Sequence, residues 1–243
     1  MQEFDDLVKR FNEWMPGIVE DDVLGFLKRR YANVLVSEPD TRDHVHYDKD
    51  PKEHWWDKYV GLIENQGNKP RCVMQSLEVG ARVHTNRKRG IDCYTPNSGV
   101  TMVNYDAQAL FDTVAGPTSQ GMTLKAGLQG LKNLGLTEIS PNSGDVYKCN
   151  EYWICRNRKE VLNDIATIGP VAIVVKWYLS FVFGDGVLIP KKNDTFIGYH
   201  AMSLTDAEKG VNSHGIGWGK KDGWFTLPES QWDELVMESR CFK

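Results

Sequence analysis

The apolar residues change their period once along this chain, at Ile168-Gly169-Pro170. Before that point they recur three and four residues apart; after it they alternate or run together in short blocks. Side chains three and four apart share a helix face, and alternate side chains share a strand face. The chain is therefore constrained to helices first and strands second. That order predicts an α+β fold of two packed lobes, one helical and one of antiparallel β-structure.

The helical part opens with a stripe of Phe4, Leu7, Val8, Phe11, Trp14 and Met15, stopped by Pro16-Gly17. A second stripe runs through Val23, Leu24, Leu27 and Tyr31, with Lys28, Arg29 and Arg30 in its last turn. Residues 37–53 are polar and read as a linker, and a new unit starts near His54-Trp55-Trp56. Further helices are expected from Cys72, over 123–134 with Leu124, Leu128, Leu131 and Leu134 aligned and Gly135 as the stop, and from about 159 to 167. Residues 86–121 read as surface loop and 140–158 as irregular chain. Strands are expected over 171–175, 186–189, 199–204, 211–216 and 224–227.

Composition removes several classes of function. Twenty-nine basic against 33 acidic side chains leave a net charge of −4, which argues against nucleic acid as the main partner. No apolar run approaches a membrane span of about 18 residues. The start, MQEFDDLVKR, has no apolar signal core, and five cysteines make a poor disulfide framework, so a reducing, cytoplasmic setting is expected. Asp43, His44, His46, Asp48, Asp50 and His54 match no standard metal-ligand spacing and read as solvated linker, and Cys149 and Cys155 lack zinc-site spacing. Arg82, Arg87, Lys88 and Arg89 read as a solvated helix end.

Cys72 stands where loop becomes helix. A helix N-terminus favours thiolate over thiol, although a cysteine taken alone reads first as a small buried hydrophobe. A thiol nucleophile needs a base, and the base needs a group to orient its ring. His200 follows Cys72 by 128 residues and Asn212 by 140, near the separations of about 130–150 residues known for Cys-His-Asn enzymes. Gln66, six residues before Cys72, could fold back so that its amide and the Cys72 backbone N–H offer two donors to an oxyanion.

The local sequences carry a family resemblance. Asn65-Gln66-Gly67-Asn68-Lys69-Pro70-Arg71-Cys72 resembles the Asn-Gln-Gly-x-x-x-x-Cys run of papain-like cysteine peptidases. Asn212-Ser213-His214-Gly215-Ile216-Gly217-Trp218-Gly219 is similar to their Asn-Ser-Trp-Gly-x-x-Trp-Gly stretch, followed by Asp222-Gly223-Trp224-Phe225. Gly169-Pro170-Val171 resembles their Gly-Pro-Val strand, and Ser119-Gln120-Gly121-Met122 their substrate-binding loop. The five landmarks keep the family order over about residues 55–243 and look closest to compact bacterial or viral members.

The resemblance implies a papain-like two-lobe fold, with an N-terminal helical extension or short pro-segment over 1–53 and a catalytic domain over 54–243. The helical lobe would span about 54–158 and the β lobe about 159–243. It implies a cysteine endopeptidase that hydrolyses peptide bonds through an acyl-enzyme, with Cys72 as nucleophile, His200 as base, Asn212 orienting His200, and Gln66 in the oxyanion site. Gly121, Met122, Val174, Tyr199, Ala201 and Trp218 would border the substrate. Peptide or protein is the implied substrate, no metal or organic cofactor is called for, and residues 1–53 could act as an autoinhibitor. A Cys-His acyl-transfer enzyme on cell-wall peptides and a non-enzymatic binding protein are the alternative functions, and His214 is an alternative base.

Three departures bear on these expectations. Val73 replaces the Trp that follows the nucleophile in the family, Lys69 stands where secreted members place a disulfide cysteine, and His214 stands where a Trp shields the His–Asn pair. Loss of that Trp predicts a wetter, weaker His200–Asn212 contact.

Overall fold

The computed structural model describes residues 9, 24, 25, 27, 28, 34, 35, 56–93, 102–139, 144–219 and 222–243. Of the two N-terminal stripes, Lys9 and Leu24, Gly25, Leu27 and Lys28 are helical; the linker and its acidic and histidine cluster lie outside the described residues. From Asp57 the helices are α1 (Asp57–Val60), α2 (Cys72–Arg89), α3 (Ala107–Ala115), α4 (Leu124–Asn133), α5 (Arg158–Thr167), α6 (Leu179–Val182) and α7 (Trp232–Leu235). The strands are β1 (Leu136–Thr137), β2 (Val146–Tyr147), β3 (Tyr152–Ile154), β4 (Val171–Tyr178), β5 (Phe196–Leu204), β6 (Lys209–Val211), β7 (Trp224–Thr226) and β8 (Val236–Phe242). Among the described residues no helix is long and apolar enough to cross a membrane.

Three helices start on a side chain that accepts a backbone N–H left over at the helix end. Asp106 caps α3 by accepting from Ala109, Thr123 caps α4 by accepting from Ala126, and Asn157 caps α5 by accepting from Glu160. Helix α3 falls within a stretch expected to be loop. Its Gly- and Pro-rich flanks hid a short stripe, in which Ala107, Leu110 and Phe111 are buried. Helix α4 forms as expected, but Leu134 lies past its end and is 49% exposed, while Gly135 takes the left-handed turn.

Six strands form one antiparallel sheet in the order β3-β8-β4-β5-β6-β7, beside a small β1–β2 hairpin. Strand β4 is central and buried on both faces, which explains its unbroken Val-Ala-Ile-Val-Val run. Alternation sorts it between two cores. Val171, Ile173, Val175 and Trp177 enter the core shared with Trp56, Phe225 and Leu235; Ala172 and Val174 enter the one shared with Leu77, Leu124 and Leu128. The strands expected over 186–189 and 211–216 are not formed: the first reduces to a bridge between Val187 and Thr226, and the second ends at Val211. Strand β8, whose Glu238 and Arg240 interrupt the apolar pattern, and the short α6 and α7 had no clear periodic signal.

Helix α2 runs between the two cores, packed on β5, and is buried along most of its length. A Cβ at Gly80 would come within 2.5 Å of the Phe242 ring, and one at Gly127 within 2.7 Å of Val73. The helix therefore approaches β8 and α4 where those neighbours leave room. Arg82 is not part of a solvated helix end, because it is fully buried 3.0 Å from Glu78. Arg89 reaches Glu138 with two hydrogen bonds of 3.0 and 2.8 Å, and Arg87 lies over the Trp56 ring.

Candidate active site

The loop before α2 is built by short-range bonds. Asn65 Oδ1 accepts from Gly67 N at 2.9 Å, which closes a tight turn, and Gly67 takes the left-handed conformation with φ 60°. The turn folds Gln66 against Ser213: Gln66 N donates to Ser213 O at 2.8 Å, and Ser213 Oγ donates to Gln66 Oε1. Gln66 Nε2 donates to Lys69 O at 3.1 Å. Gly215 makes this approach feasible, since a Cβ there would meet Asn65 Cβ at 2.9 Å. Cys72 follows as the first residue of α2, fully buried, with its backbone N–H at the electropositive end of an 18-residue helix.

His200 lies in β5 opposite Val175 and is fully buried; Asn212 lies just past β6, anchored by its N–H to Gly223 O at 2.9 Å. Their side chains meet at 2.8 Å, His200 Nε2 to Asn212 Oδ1. Asn212 Oδ1 also accepts from the Ser213 N–H at 2.7 Å. A backbone N–H can only donate, so the oxygen of the Asn212 amide must face this corner. The His200 proton then resides on Nε2, and Nδ1 carries the lone pair. Nδ1 is buried without a hydrogen-bond partner among the described residues. Burial lowers the His200 pKa from 6.5 to about 4, against the opposing pull of Asn212.

The expected wet contact is not found. Asn212 is 1% exposed, and the His214 ring stacks on His200 with centroids 4.6 Å apart and planes 27° apart. Trp177 packs against both rings, at 4.7 Å from His200 and 5.7 Å from His214. An imidazole thus fills the place where the family has an indole, and Trp177 adds the missing apolar bulk. His200, not His214, is the histidine whose ring bonds Asn212 Oδ1.

No protein-family model matches the chain, and no curated protein sequence does. Solved structures do. Xylellain, a cysteine protease from Xylella fastidiosa, is 16% identical and aligns over 88% of this chain and 96% of its own, with a TM-score of 0.63. Procathepsin B S9 from Trypanosoma congolense is 13% identical and aligns over 100% of this chain and 97% of its own, with a TM-score of 0.72. Procathepsin L 3 from the larval midgut of Tenebrio molitor is 15% identical, with a TM-score of 0.57 over 91% of this chain and 78% of its own. The fold is papain-like.

Within the papain-like fold, strand β5 carries the remaining residues of interest beside His200. Ala201 pairs with Val174, and both enter a buried cluster with Cys72, Met122 and Val34. Gly121 precedes Met122, and Tyr199 packs at the edge of the same cluster. Val34, from the N-terminal segment, makes a parallel bridge to Met122. Its N–H donates to Tyr199 O and the Leu35 N–H to Met122 O, both at 3.2 Å. Val34 is 4% exposed and Leu35 62%. Trp218 is buried, packs on Trp177 and His214, and donates from Nε1 to Phe181 O at 3.0 Å.

Val73, in place of the family's Trp, is buried and packs so close to Gly127 that a Cβ there would come within 2.7 Å of it. The other thiols are held protonated. Burial raises Cys93, Cys149, Cys155 and Cys241, and Cys155 also faces Asp164 Oδ2 at 3.1 Å. Sequence reasoning missed Trp177, Ser213 as an anchor, and Val34. Trp177 had a usable signal, an aromatic two residues past the apolar run of β4; Val34, first of the short run Val34-Leu35-Val36, had no periodic signal.

Proposed function

We propose that the chain is a cysteine endopeptidase with Cys72, His200, Asn212 and Gln66 as its reacting set. The observation that carries this reading is the buried 2.8 Å bond from His200 Nε2 to Asn212 Oδ1, which leaves Nδ1 as an acceptor on a strand packed against the helix that Cys72 begins. Cys72 Sγ attacks the peptide carbonyl carbon while its proton passes to His200 Nδ1. The carbonyl oxygen becomes an oxyanion held by the Cys72 N–H and the Gln66 amide. Collapse breaks the C–N bond, His200 returns the proton to the leaving amine, and a thioester remains. Water, deprotonated by His200, hydrolyses it and restores the thiol. Burial lowers the His200 pKa, and a Cys72 thiolate beside it would favour its charged form.

Residues 54–243 form the catalytic domain in this reading, and residues 1–53 inhibit it. Val34 and Leu35 bond to Met122 and Tyr199 as an extended peptide bonds to strand edges. Val34 fills the apolar pocket of Met122, Val174 and Ala201, so an apolar substrate side chain is expected there. Gly121 borders the substrate backbone, and Trp218 backs the leaving-group side. Hydrolysis of peptide substrates by the purified chain, before and after removal of residues 1–53, is the test. Activity that rises on removal and vanishes in Cys72→Ala supports the reading; a Cys72→Ala variant as active as the native chain ends it.

A further inference from the structure

Behind Asn212 lies a small cavity of about 10 Å³, bordered on its polar side by Glu64, Gln75, Ser76 and Asn212. A space of that size is near the least that one water requires, and water enters such spaces when they are polar. Asn212 Oδ1 is committed to His200 and Ser213. Asn212 Nδ2 is buried and has no hydrogen-bond partner among the described residues. A buried amide N–H left without an acceptor is costly, and native structures rarely leave one so.

The acceptors stand across the cavity. Glu64 Oε2 accepts from Gln75 Nε2 at 2.9 Å, and the carboxylate has further lone pairs to offer. Ser76 Oγ donates to Val73 O at 2.8 Å and can still accept. Glu64 is in turn one of the charges that act on buried Glu78 of α2, together with Arg82 and Arg71.

We propose that this cavity binds one water, which accepts from Asn212 Nδ2 and donates to Glu64, so that Glu64 and Gln75 are positioning residues for the His200–Asn212 pair. The catalytic consequence rests on the peptidase reading above; the water site itself does not. An amide can turn over and exchange its oxygen and nitrogen. With a Ser213 N–H on one side and an acceptor-bound water on the other, one orientation alone satisfies all its atoms. That orientation keeps the proton on His200 Nε2 and the lone pair on Nδ1. Gln75 holds the Glu64 carboxylate in place.

The test compares Glu64→Leu with Glu64→Gln. Both remove the same charge, so effects through Glu78 or Arg82 cancel between them, but Gln keeps an acceptor for the water. Glu64→Leu is expected to slow Cys72 alkylation by iodoacetamide at pH 6 about tenfold, the scale of one lost buried hydrogen bond. It is also expected to displace the pH profile and to lower kcat without raising KM. Glu64→Gln should stay within about threefold of native, and melting temperatures separate these effects from unfolding. Equal loss in both variants, or no loss in either, overturns the positioning role. An experimental crystal structure should hold a water within about 3 Å of Asn212 Nδ2; a dry cavity overturns the proposal whatever the activity. A Cys72 that iodoacetamide never modifies, even after removal of residues 1–53, defeats the peptidase reading and leaves the water site to the crystal test.

Discussion

One face of strand β5 carries His200 among Trp177, His214 and the Asn212 amide, where the His200 Nε2 and Ser213 N–H bonds to Asn212 Oδ1 set the orientations. The neighbouring residue Ala201 points to the other face, among Val174, Met122 and Val34, where contacts are apolar and directionless. A one-residue step separates them because strand side chains alternate. The difference is one of tolerance. Hydrogen bonds on the first face demand one geometry, while dispersion and burial on the second accept a range of shapes. The apolar face is also where the chain's own Val34 sits.

The largest effect should come from the first face. Cys72→Ala or His200→Ala is expected to lower peptide hydrolysis by about 10³-fold or more, as loss of a member of a catalytic set does; steady-state assays of the processed chain check it. On the second face, Val34→Asp places a carboxylate in an apolar pocket at a cost of several kcal/mol. It should expel the segment and speed Cys72 alkylation at least about tenfold. An unchanged rate would mean that Val34 blocks nothing.

Val73→Trp restores the family residue beside Gly127 and should destabilise by about 1–3 kcal/mol through overpacking, read from denaturant melts. A gain in stability would show that α4 can yield.

Acidification acts on His200 and on two groups of helix α2, Glu78 and His84. His84 and His200 are both lowered from 6.5 to about 4 by burial. The unfolded chain therefore binds their protons first, and the stability they contribute is complete above pH 6.5 and lost as pH falls toward 4. Glu78, raised from 4.5 to about 7 by burial, acts oppositely: its contribution is present below pH 4.5 and lost as pH rises through 7. Two histidines against one carboxyl leave a net loss of stability on acidification between about pH 6.5 and 4.5. Denaturant titrations at several pH values should show it, and Glu78→Gln should steepen it.

The smallest effect expected is at His214. Truncation to Ala removes an aromatic contact worth about 0.5–1.5 kcal/mol, so activity should fall up to about tenfold, and His214→Phe should recover it. A His214→Ala variant as active as native would make Trp177 the sufficient cover.

The long helices and the central strands were legible because their apolar stripes span several turns or a full strand, as in α2, α4 and β4. Helix α3 was obscured by the Gly- and Pro-rich chain around a single stripe. Strand β8 was obscured because its inward polar side chains, Glu238 and Arg240, break the alternation. Arg82 looked like a solvated charge because its burial depends on Glu78 one turn away and on the walls that enclose both. The departures at positions 73 and 214 were visible as substitutions, but their effect depended on Gly127 and Trp177, which are remote in the chain.

Residue order alone determined the two-lobe α+β architecture and singled out Gln66, Cys72, His200 and Asn212 as the candidate set. Periodicity and short motifs are local properties, and the backbone obeys them locally. Tertiary packing alone decided which atom of Asn212 faces His200, what covers that pair, and that Val34 lies between Met122 and Tyr199. Those outcomes depend on distances between segments more than a hundred residues apart in places, which no local pattern encodes, and on burial, which strengthens each bond made and penalises each bond missed.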